Sequence, residues 1–147
     1  MPLSYRFLLS STLLVLLLAG CAAGPAPATP AGDGLSGPVV GPRWNLLLVG
    51  TDERLSLPEP PYFTVARDGR VSGSDGCNRL TGRVRLGDEG RIAFSELATT
   101  RRACPQADDA RRVTNMLENA YRYLIDHDRL VFFGPDQRVL GGWRRAD

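Results

Sequence analysis

The sequence contains no lysine and only one histidine, His127, among its 147 residues. A single histidine excludes a metal site built from several imidazoles, and no carboxylate pair or Ser/His/Asp set stands out as a catalytic group. Glycine-rich phosphate loops and zinc signatures are lacking too, so we predict no cofactor and no bound metal. The 18 basic residues, all arginine, nearly balance the 16 acidic ones. Nucleic-acid binding needs a concentrated basic footprint, which this balance does not provide.

Residues 1–20 have the pattern of a secretion signal. Arg6 precedes an apolar run over residues 7–18, which is shorter than the ~20 apolar residues that span a membrane. The run leads into Leu18-Ala19-Gly20-Cys21, which resembles the lipobox of bacterial lipoproteins. The resemblance implies cleavage before Cys21, lipidation of its thiol and, since no aspartate follows, anchoring in the outer membrane facing the periplasm. The alternative is an ordinary signal peptide.

The segment after the cysteine has almost no large side chains. Residues 22–42 contain five alanines, five glycines and five prolines. Such a composition cannot bury enough apolar surface to offset the entropy of ordering the chain. We therefore predict that residues 21–42 form a disordered tether carrying the lipid, and that the folded domain occupies residues 43–147.

Alternation of apolar and polar residues predicts several strands in the folded part. Turn residues follow two of them, at Asp68-Gly69 and at Asp88-Glu89-Gly90, which predicts two hairpins. The segments with strand character are residues 44–49, 63–65, 80–86, 92–94, 130–133 and 139–144.

One segment has helical rather than alternating periodicity. Its apolar residues follow the spacing i, i+3, i+4, i+7, i+8, i+11, from Val113 to Leu124. Asp108 or Asp109 is positioned to cap the helix and to complement its dipole. Strands, one helix and further strands together predict an α+β domain in which an antiparallel sheet is covered by one helix.

Two segments resemble the META domain, the HslJ-like family of small bacterial envelope and heat-shock proteins. The first is Gly76-Cys77-Asn78 with Gly82 four residues later, and the second is Thr100-Arg101 with Cys104 three residues later; Trp44 and Leu46 match the family's opening. The resemblance extends from about residue 43 to residue 145. It implies a small, barrel-like α+β fold with one packed helix, and roles in heat shock, antibiotic tolerance and secretion without a defined reaction.

Cys77 and Cys104 remain once Cys21 is assigned to the lipid. Paired cysteines in an oxidising compartment normally form a disulfide, and closing this loop is worth roughly 3.5 kcal/mol in the chain-entropy model. A zinc site is the weaker alternative, because two thiols and His127 fall short of four ligands. A nucleophilic Cys77 is weaker too, since no base is indicated near it in the sequence.

The family motifs supply the candidate binding surface, namely Asn78, Arg79, Thr100 and Arg101. Arg83, Arg85 and Arg102 either join a basic cluster there, for lipid phosphates or an acidic partner, or form an ordinary solvated face. His127, between two aspartates, is expected to be a solvated side chain.

Three functions remain open. The first is a non-catalytic envelope module that binds a protein partner or stabilises the envelope under stress. The second is a domain that binds a lipid or a small apolar ligand, favoured if Trp44, Phe63, Phe132 and Trp143 line a cavity. The third is a hydrolase or redox enzyme, which the missing catalytic groups disfavour.

Overall fold

A computed structural model describes residues 35–147 of the chain. The predicted signal peptide, Cys21 and the first part of the predicted tether lie outside the described residues. Within residues 35–147, no helix is long and apolar enough to cross a membrane.

The described part of the chain forms one curled antiparallel sheet with a helix packed against it. The α+β fold predicted from the sequence is therefore confirmed. The strands lie in the order β5-β4-β3-β2-β1-β8-β7-β6. The elements are β1 (Arg43–Val49), β2 (Tyr62–Val65), β3 (Arg70–Ser74), β4 (Arg79–Leu86), β5 (Ile92–Thr99), α1 (Ala107–Glu118), β6 (Arg122–Asp126), β7 (Arg129–Phe133) and β8 (Val139–Arg145).

Both predicted hairpins are present. β2 and β3 are joined at Asp68-Gly69, where Gly69 has a φ of 79° and Asp68 Oδ1 accepts a hydrogen bond from the Arg70 N–H at 3.0 Å. β4 and β5 are joined by a single 3-10 turn, Asp88–Gly90. In each case a residue that tolerates positive φ allows the chain to reverse within a few residues.

The helix is shorter than predicted. Its buried stripe includes Val113, Met116 and Leu117, but α1 ends at Glu118 and residues 122–126 form strand β6. Leu124, expected in the core, is 54% exposed. The prediction was wrong because the Tyr121 N–H donates to the Phe133 carbonyl at 2.9 Å, which commits the backbone to pairing with β7.

The predicted aspartate cap is also wrong. Gln106 occupies the N-cap position of α1 and makes no capping hydrogen bond through its side chain. Asp108 and Asp109 lie in the first turn, where they pair with arginines one turn later, Arg111 and Arg112. Both acids still complement the positive end of the helix dipole.

Part of the predicted tether belongs to the folded unit. Within residues 35–42, Val39 is fully buried and its carbonyl accepts a hydrogen bond from Trp44 Nε1 at 3.1 Å. The Leu35 N–H donates to the Arg67 carbonyl and the Gly41 N–H to the Val65 carbonyl. The composition was misleading here because one buried valine and three hydrogen bonds hold a segment in which four of the eight residues are glycine or proline.

Aromatic side chains fill the centre of the core. Trp44, Phe63, Phe132 and Trp143 are all fully buried. The Phe63 ring lies 4.8 Å from that of Trp143 and 5.9 Å from that of Phe132, measured between centroids. Such distances are ordinary aromatic contacts, so the rings of Phe63, Phe132 and Trp143 pack on one another.

The sheet face opposite the core carries a continuous cross-strand row of polar residues. Strand register places these residues side by side across seven strands, with one from each strand. The row consists of Asp126, Arg129, Arg144, Asn45, Tyr62, Ser74 and Arg79. Its Tyr62–Ser74–Arg79 end leads to the motif segments of the sequence.

Candidate functional site

A buried carboxylate shapes the loop between β3 and β4. Asp75 is 3% exposed, and its Oδ1 accepts hydrogen bonds from the N–H groups of Cys77 and Asn78 at 2.9 and 2.6 Å. The hydroxyl of Ser74 accepts a third from the Gly76 N–H at 3.1 Å. Gly76 has a φ of 100°, which favours glycine, and the loop therefore has one well-defined shape.

Asn78 and Thr100 join this loop to the segment after β5. Asn78 Oδ1 accepts a hydrogen bond from the Arg102 N–H at 2.8 Å and lies 3.4 Å from Thr100 Oγ1. Thr100 Oγ1 accepts one from the Arg79 N–H at 3.0 Å. The backbone adds a bond from the Thr100 N–H to the Arg79 carbonyl. Three of the four residues predicted for the binding surface are thus in direct contact.

A disulfide fastens the same loop to the segment before α1. Cys77 and Cys104 are bonded, with Cα atoms 6.1 Å apart and 27 positions apart in sequence. Cys77 is 6% exposed, so the crosslink is largely shielded from solvent. Two separate constraints, the Asp75 carboxylate and the disulfide, hold the loop that carries Asn78.

These segments enclose an open pocket of about 390 Å³. The outward-facing row supplies one wall, and the loop together with the segment after β5 supplies the other. Its lining residues are Glu59, Tyr62, Gly73, Ser74, Cys77, Asn78, Arg79, Thr100 and Arg102. Arg101 is exposed beside this pocket but does not line it, and Arg102 takes the place that we expected for Arg101.

The arginines form two groups rather than one cluster. Arg79 and Arg102 line the pocket. Arg83 and Arg85 point outward from the far half of β4, where Arg85 is about 20 Å along the strand from Arg79. Arg83 Nε lies 3.8 Å from the Glu96 carboxylate. The positive charge that lines the pocket therefore comes from Arg79 at the start of β4 and from Arg102 in the segment after β5.

The side chains whose pKa is shifted from its ordinary value lie away from the pocket. Hydrogen bonding from Arg112 lowers the pKa of Glu53 and, in return, raises the pKa of the Arg112 guanidinium. The N–H and the guanidinium of Arg70 lower the pKa of Asp68. Both carboxylates are at the surface and stabilise local structure rather than the candidate site.

His127 lies in the turn between β6 and β7 with a φ of 55°. Its side chain is 90% exposed, and Nδ1 is 2.6 Å from Asp126 Oδ1. Across residues 35–147, no group of three histidine, cysteine, aspartate or glutamate side chains is arranged to hold a metal ion. The histidine is therefore placed as the solvated side chain that the sequence suggested.

Glu59 and Tyr62 were not found by sequence reasoning. Neither lies in the two motif segments, and β2 meets the pocket only through its register with β3, which pairs Tyr62 with Ser74. The hydrogen bond from the Glu59 N–H to the Gly76 carbonyl brings the preceding loop to the pocket. Knowledge of that register and of this loop contact would have been needed to indicate them.

Comparison with known proteins agrees with this fold. A family model for the META domain matches residues 38–147. A structure solved by NMR is 26% identical, with a TM-score of 0.56 over 72% of this chain and 90% of that one. The crystal structure of a DUF4847 family protein from Bacteroides vulgatus is 14% identical, with a TM-score of 0.54 over 74% of this chain and 96% of that one, and shows the fold alone. A search of curated proteins finds no match.

Proposed function

The chain belongs to the META domain family, and from this premise we propose that it is a non-catalytic, lipid-anchored module of the bacterial cell envelope. Its task in this proposal is to bind a partner, protein or lipid, as part of tolerance to heat and envelope stress. The family membership supports a non-catalytic module of the envelope. The lipobox-like sequence ending at Cys21 supports the lipid anchor.

The observation that carries the proposal is a rigid, exposed surface at the motif residues. Asn78, Arg79 and Thr100 are fixed to one another by hydrogen bonds, while the Arg79, Arg101 and Arg102 residues are exposed. A surface that is already ordered loses little conformational entropy when a partner binds. The fixed shape of this surface and the positive charge of its arginines therefore suit it to binding a partner.

The polar groups of this surface are committed to structure rather than to chemistry. Thr100 Oγ1 is engaged by the Arg79 N–H and lies against Asn78 Oδ1, and no carboxylate or imidazole of residues 35–147 is bonded to it. Cys77 is bonded to Cys104 and offers no thiolate. Nucleophilic catalysis needs an activated group, which supports a binding role over a hydrolase or redox function.

The aromatic core bears on the alternative of an apolar ligand. Phe63, Phe132 and Trp143 are in mutual contact at the position where a ligand cavity was considered. Their packing favours partner binding at the surface over a lipid held inside the domain.

The anchor is tested with Cys21→Ala. Membrane fractionation and mass spectrometry of the mature protein should show loss of the acyl chains and release from the outer membrane. Cys77→Ser with Cys104→Ser is the matched control, which should remain acylated and membrane-bound. A Cys21→Ala protein that is processed and membrane-bound like the wild type contradicts the lipoprotein assignment.

Partner binding is tested by placing a photo-crosslinking amino acid at Arg101 in intact cells. Arg101 is exposed beside the pocket and makes no side-chain hydrogen bond to residues 35–147. The expected result is a specific adduct, protein or lipid, that increases under heat stress. The control position is Arg111 on α1, and equal adducts from both positions, or none from Arg101, contradict the proposal.

A further inference from the structure

We propose that the pocket bounded by Asn78 and Arg102 binds an oxyanion, a phosphate or carboxylate group carried by a larger molecule. The inference rests on the proposed function, because it names the chemistry recognised at the same surface. In this pocket, the hydrogen-bond donors that remain available to a ligand outnumber the available acceptors.

The amide of Asn78 presents donors to the pocket. Its Oδ1 faces the Arg102 N–H at 2.8 Å, and since a backbone N–H can only donate, the facing atom is the amide oxygen. Nδ2 then points away from that contact, and it has no hydrogen-bond partner within residues 35–147. Two N–H donors of a fixed side chain are therefore available to a ligand.

Hydroxyl groups add to the supply of donors. Ser74 is 7% exposed, and its Oγ acts as an acceptor toward the Gly76 N–H, which leaves its O–H proton to donate. Tyr62, which register pairs with Ser74, also lines the pocket, and its hydroxyl has no partner in the described part of the chain. Arg43 stacks on the Tyr62 ring at 3.5 Å and brings a further positive charge close by.

Two guanidinium groups give the pocket its charge. Arg79 and Arg102 both line it, and neither has an ion pair with any residue from 35 to 147. Arginine presents several donors in a planar fork that matches carboxylate and phosphate oxygens. Thr100 is excluded from this set, because its hydroxyl is used between Arg79 and Asn78.

Glu59 supplies the one carboxylate in the lining, against two arginines. The pocket therefore has a net positive charge and many more available donors than acceptors. At about 390 Å³ it is several times larger than one oxyanion, so the rest of the ligand occupies the remaining space. Glu59 is suited to a hydroxyl or ammonium group on that part.

The test is a titration of the full acylated chain in neutral detergent micelles, followed by NMR of its side-chain N–H resonances. Inorganic phosphate and N-acetylglycine are the two probes, which separate a preference for phosphate from one for carboxylate. Saturable shifts of Asn78 Nδ2 and of the Arg79 and Arg102 Nε signals are expected with one probe or both. Shifts that increase linearly with both probes, without saturation, overturn the proposal.

Asn78→Asp is the most direct variant. It keeps an oxygen for the Arg102 N–H but replaces the two Nδ2 donors with a second, negatively charged oxygen. We expect affinity for the preferred probe to fall by at least about tenfold, with Arg79→Gln giving a similar loss. Thermal unfolding of each variant shows whether the domain is still folded.

Arg85→Gln is the matched control, because it removes the same charge from the same strand outside the pocket. Equal losses for Arg79→Gln and Arg85→Gln would mean general electrostatic attraction and would refute a specific site. Crosslinking from Arg101 is an independent readout. If Arg101 captures a partner but neither probe binds, the oxyanion site is refuted and the proposed partner role stands. If a probe binds but Arg101 captures no partner, the proposed partner role is refuted and the oxyanion site stands.

Discussion

The carboxylate of Asp75 is a single group that organises the whole β3–β4 loop. It is nearly inaccessible to solvent, and one of its oxygens satisfies two backbone N–H groups at once. Hydrogen bonds to a charged acceptor are stronger than those to a neutral one. The position of Asn78 therefore depends on a residue that does not line the pocket.

Replacing Asp75 with alanine should destabilise the domain. The N–H groups of Cys77 and Asn78 would lose their acceptor in a buried position, which costs about 2–3 kcal/mol. Urea denaturation measures the change in the free energy of unfolding. Asp75→Asn retains an oxygen and should cost less, and Asp68→Ala, in an exposed turn, less still. Equal losses in all three would contradict this role for Asp75.

Two glycines of the sheet, Gly73 and Gly142, differ in the space that an added side chain would find. A Cβ at Gly73 would lie 2.0 Å from the Tyr62 carbonyl oxygen, so β2 and β3 would have to separate. A Cβ at Gly142 meets nothing closer than 3.9 Å. We expect Gly73→Ala to cost about 3 kcal/mol or to prevent folding, and Gly142→Ala to be tolerated. The folded fraction and the unfolding midpoint measure both.

Among the elements, α1 and β6 show where the helical spacing of apolar residues no longer predicts a helix. Residues from Val113 to Leu124 fit one helical stripe, yet the chain leaves the helix after Glu118. Tyr123 and Ile125 are half-buried against the core on alternating positions, which is strand geometry. Five residues are too few for alternation to outweigh a helical pattern that runs directly into them.

Substitution of Leu117 and Leu124 distinguishes one continuous helix through residue 124 from a helix that ends at Glu118 and is followed by strand β6. Leu117 belongs to α1 and is fully buried, so Leu117→Ala should cost about 2–5 kcal/mol. Leu124→Ala, on a strand and 54% exposed, should change stability by less than about 1 kcal/mol. A continuous helix would bury both and make the two losses similar, and chemical denaturation decides between these outcomes.

The hairpins and the motif residues were predictable for a different reason. Turns at Asp68-Gly69 and Asp88–Gly90 depend on residues adjacent in sequence, and local signals of that kind can be read directly. Asn78, Arg79 and Thr100 were found through the family motifs. Glu59 and Tyr62 reach the pocket through strand register and one loop contact, which no local pattern reports.

The disulfide connects two elements that are distant in sequence. It fixes the loop before β4 to the segment before α1, so its loss should affect both. Cys77→Ser with Cys104→Ser should lower the free energy of unfolding by roughly 3.5 kcal/mol. Urea denaturation measures this, and the wild type with reductant should behave like the variant. Unchanged stability in both would mean that the bond forms without constraining the unfolded chain.

At the scale of the whole molecule, two surface carboxylates contribute to the dependence of stability on pH in the acid range. Arg112 lowers the pKa of Glu53, and Arg70 lowers the pKa of Asp68. A carboxyl whose pKa is lower in the folded state stabilises it above the unfolded pKa, and this stabilisation is lost as pH falls through the folded pKa. The contribution should therefore be complete at neutral pH and decline below the ordinary values of 4.5 and 3.8.

Glu53→Gln combined with Asp68→Asn should make the acid limb of the stability curve shallower. Urea denaturation between pH 7 and pH 3 measures that slope. Glu118→Gln is the control, since Glu118 has no ion pair with residues 35–147. An identical acid limb in the double variant and the wild type would show that these two pairs contribute nothing to it.

For the export to the envelope that we propose, the Cys77–Cys104 crosslink would make the timing of folding depend on the compartment. In a reducing cytosol the chain lacks a stabilisation of roughly 3.5 kcal/mol, a large part of the 5–15 kcal/mol typical of a domain. A newly made chain is then easier to keep unfolded, as passage through a secretion channel requires. In the proposed export, oxidation outside the cytosol would add this stability after transit, and the bond that fastens the pocket loop would then oppose return to the unfolded state.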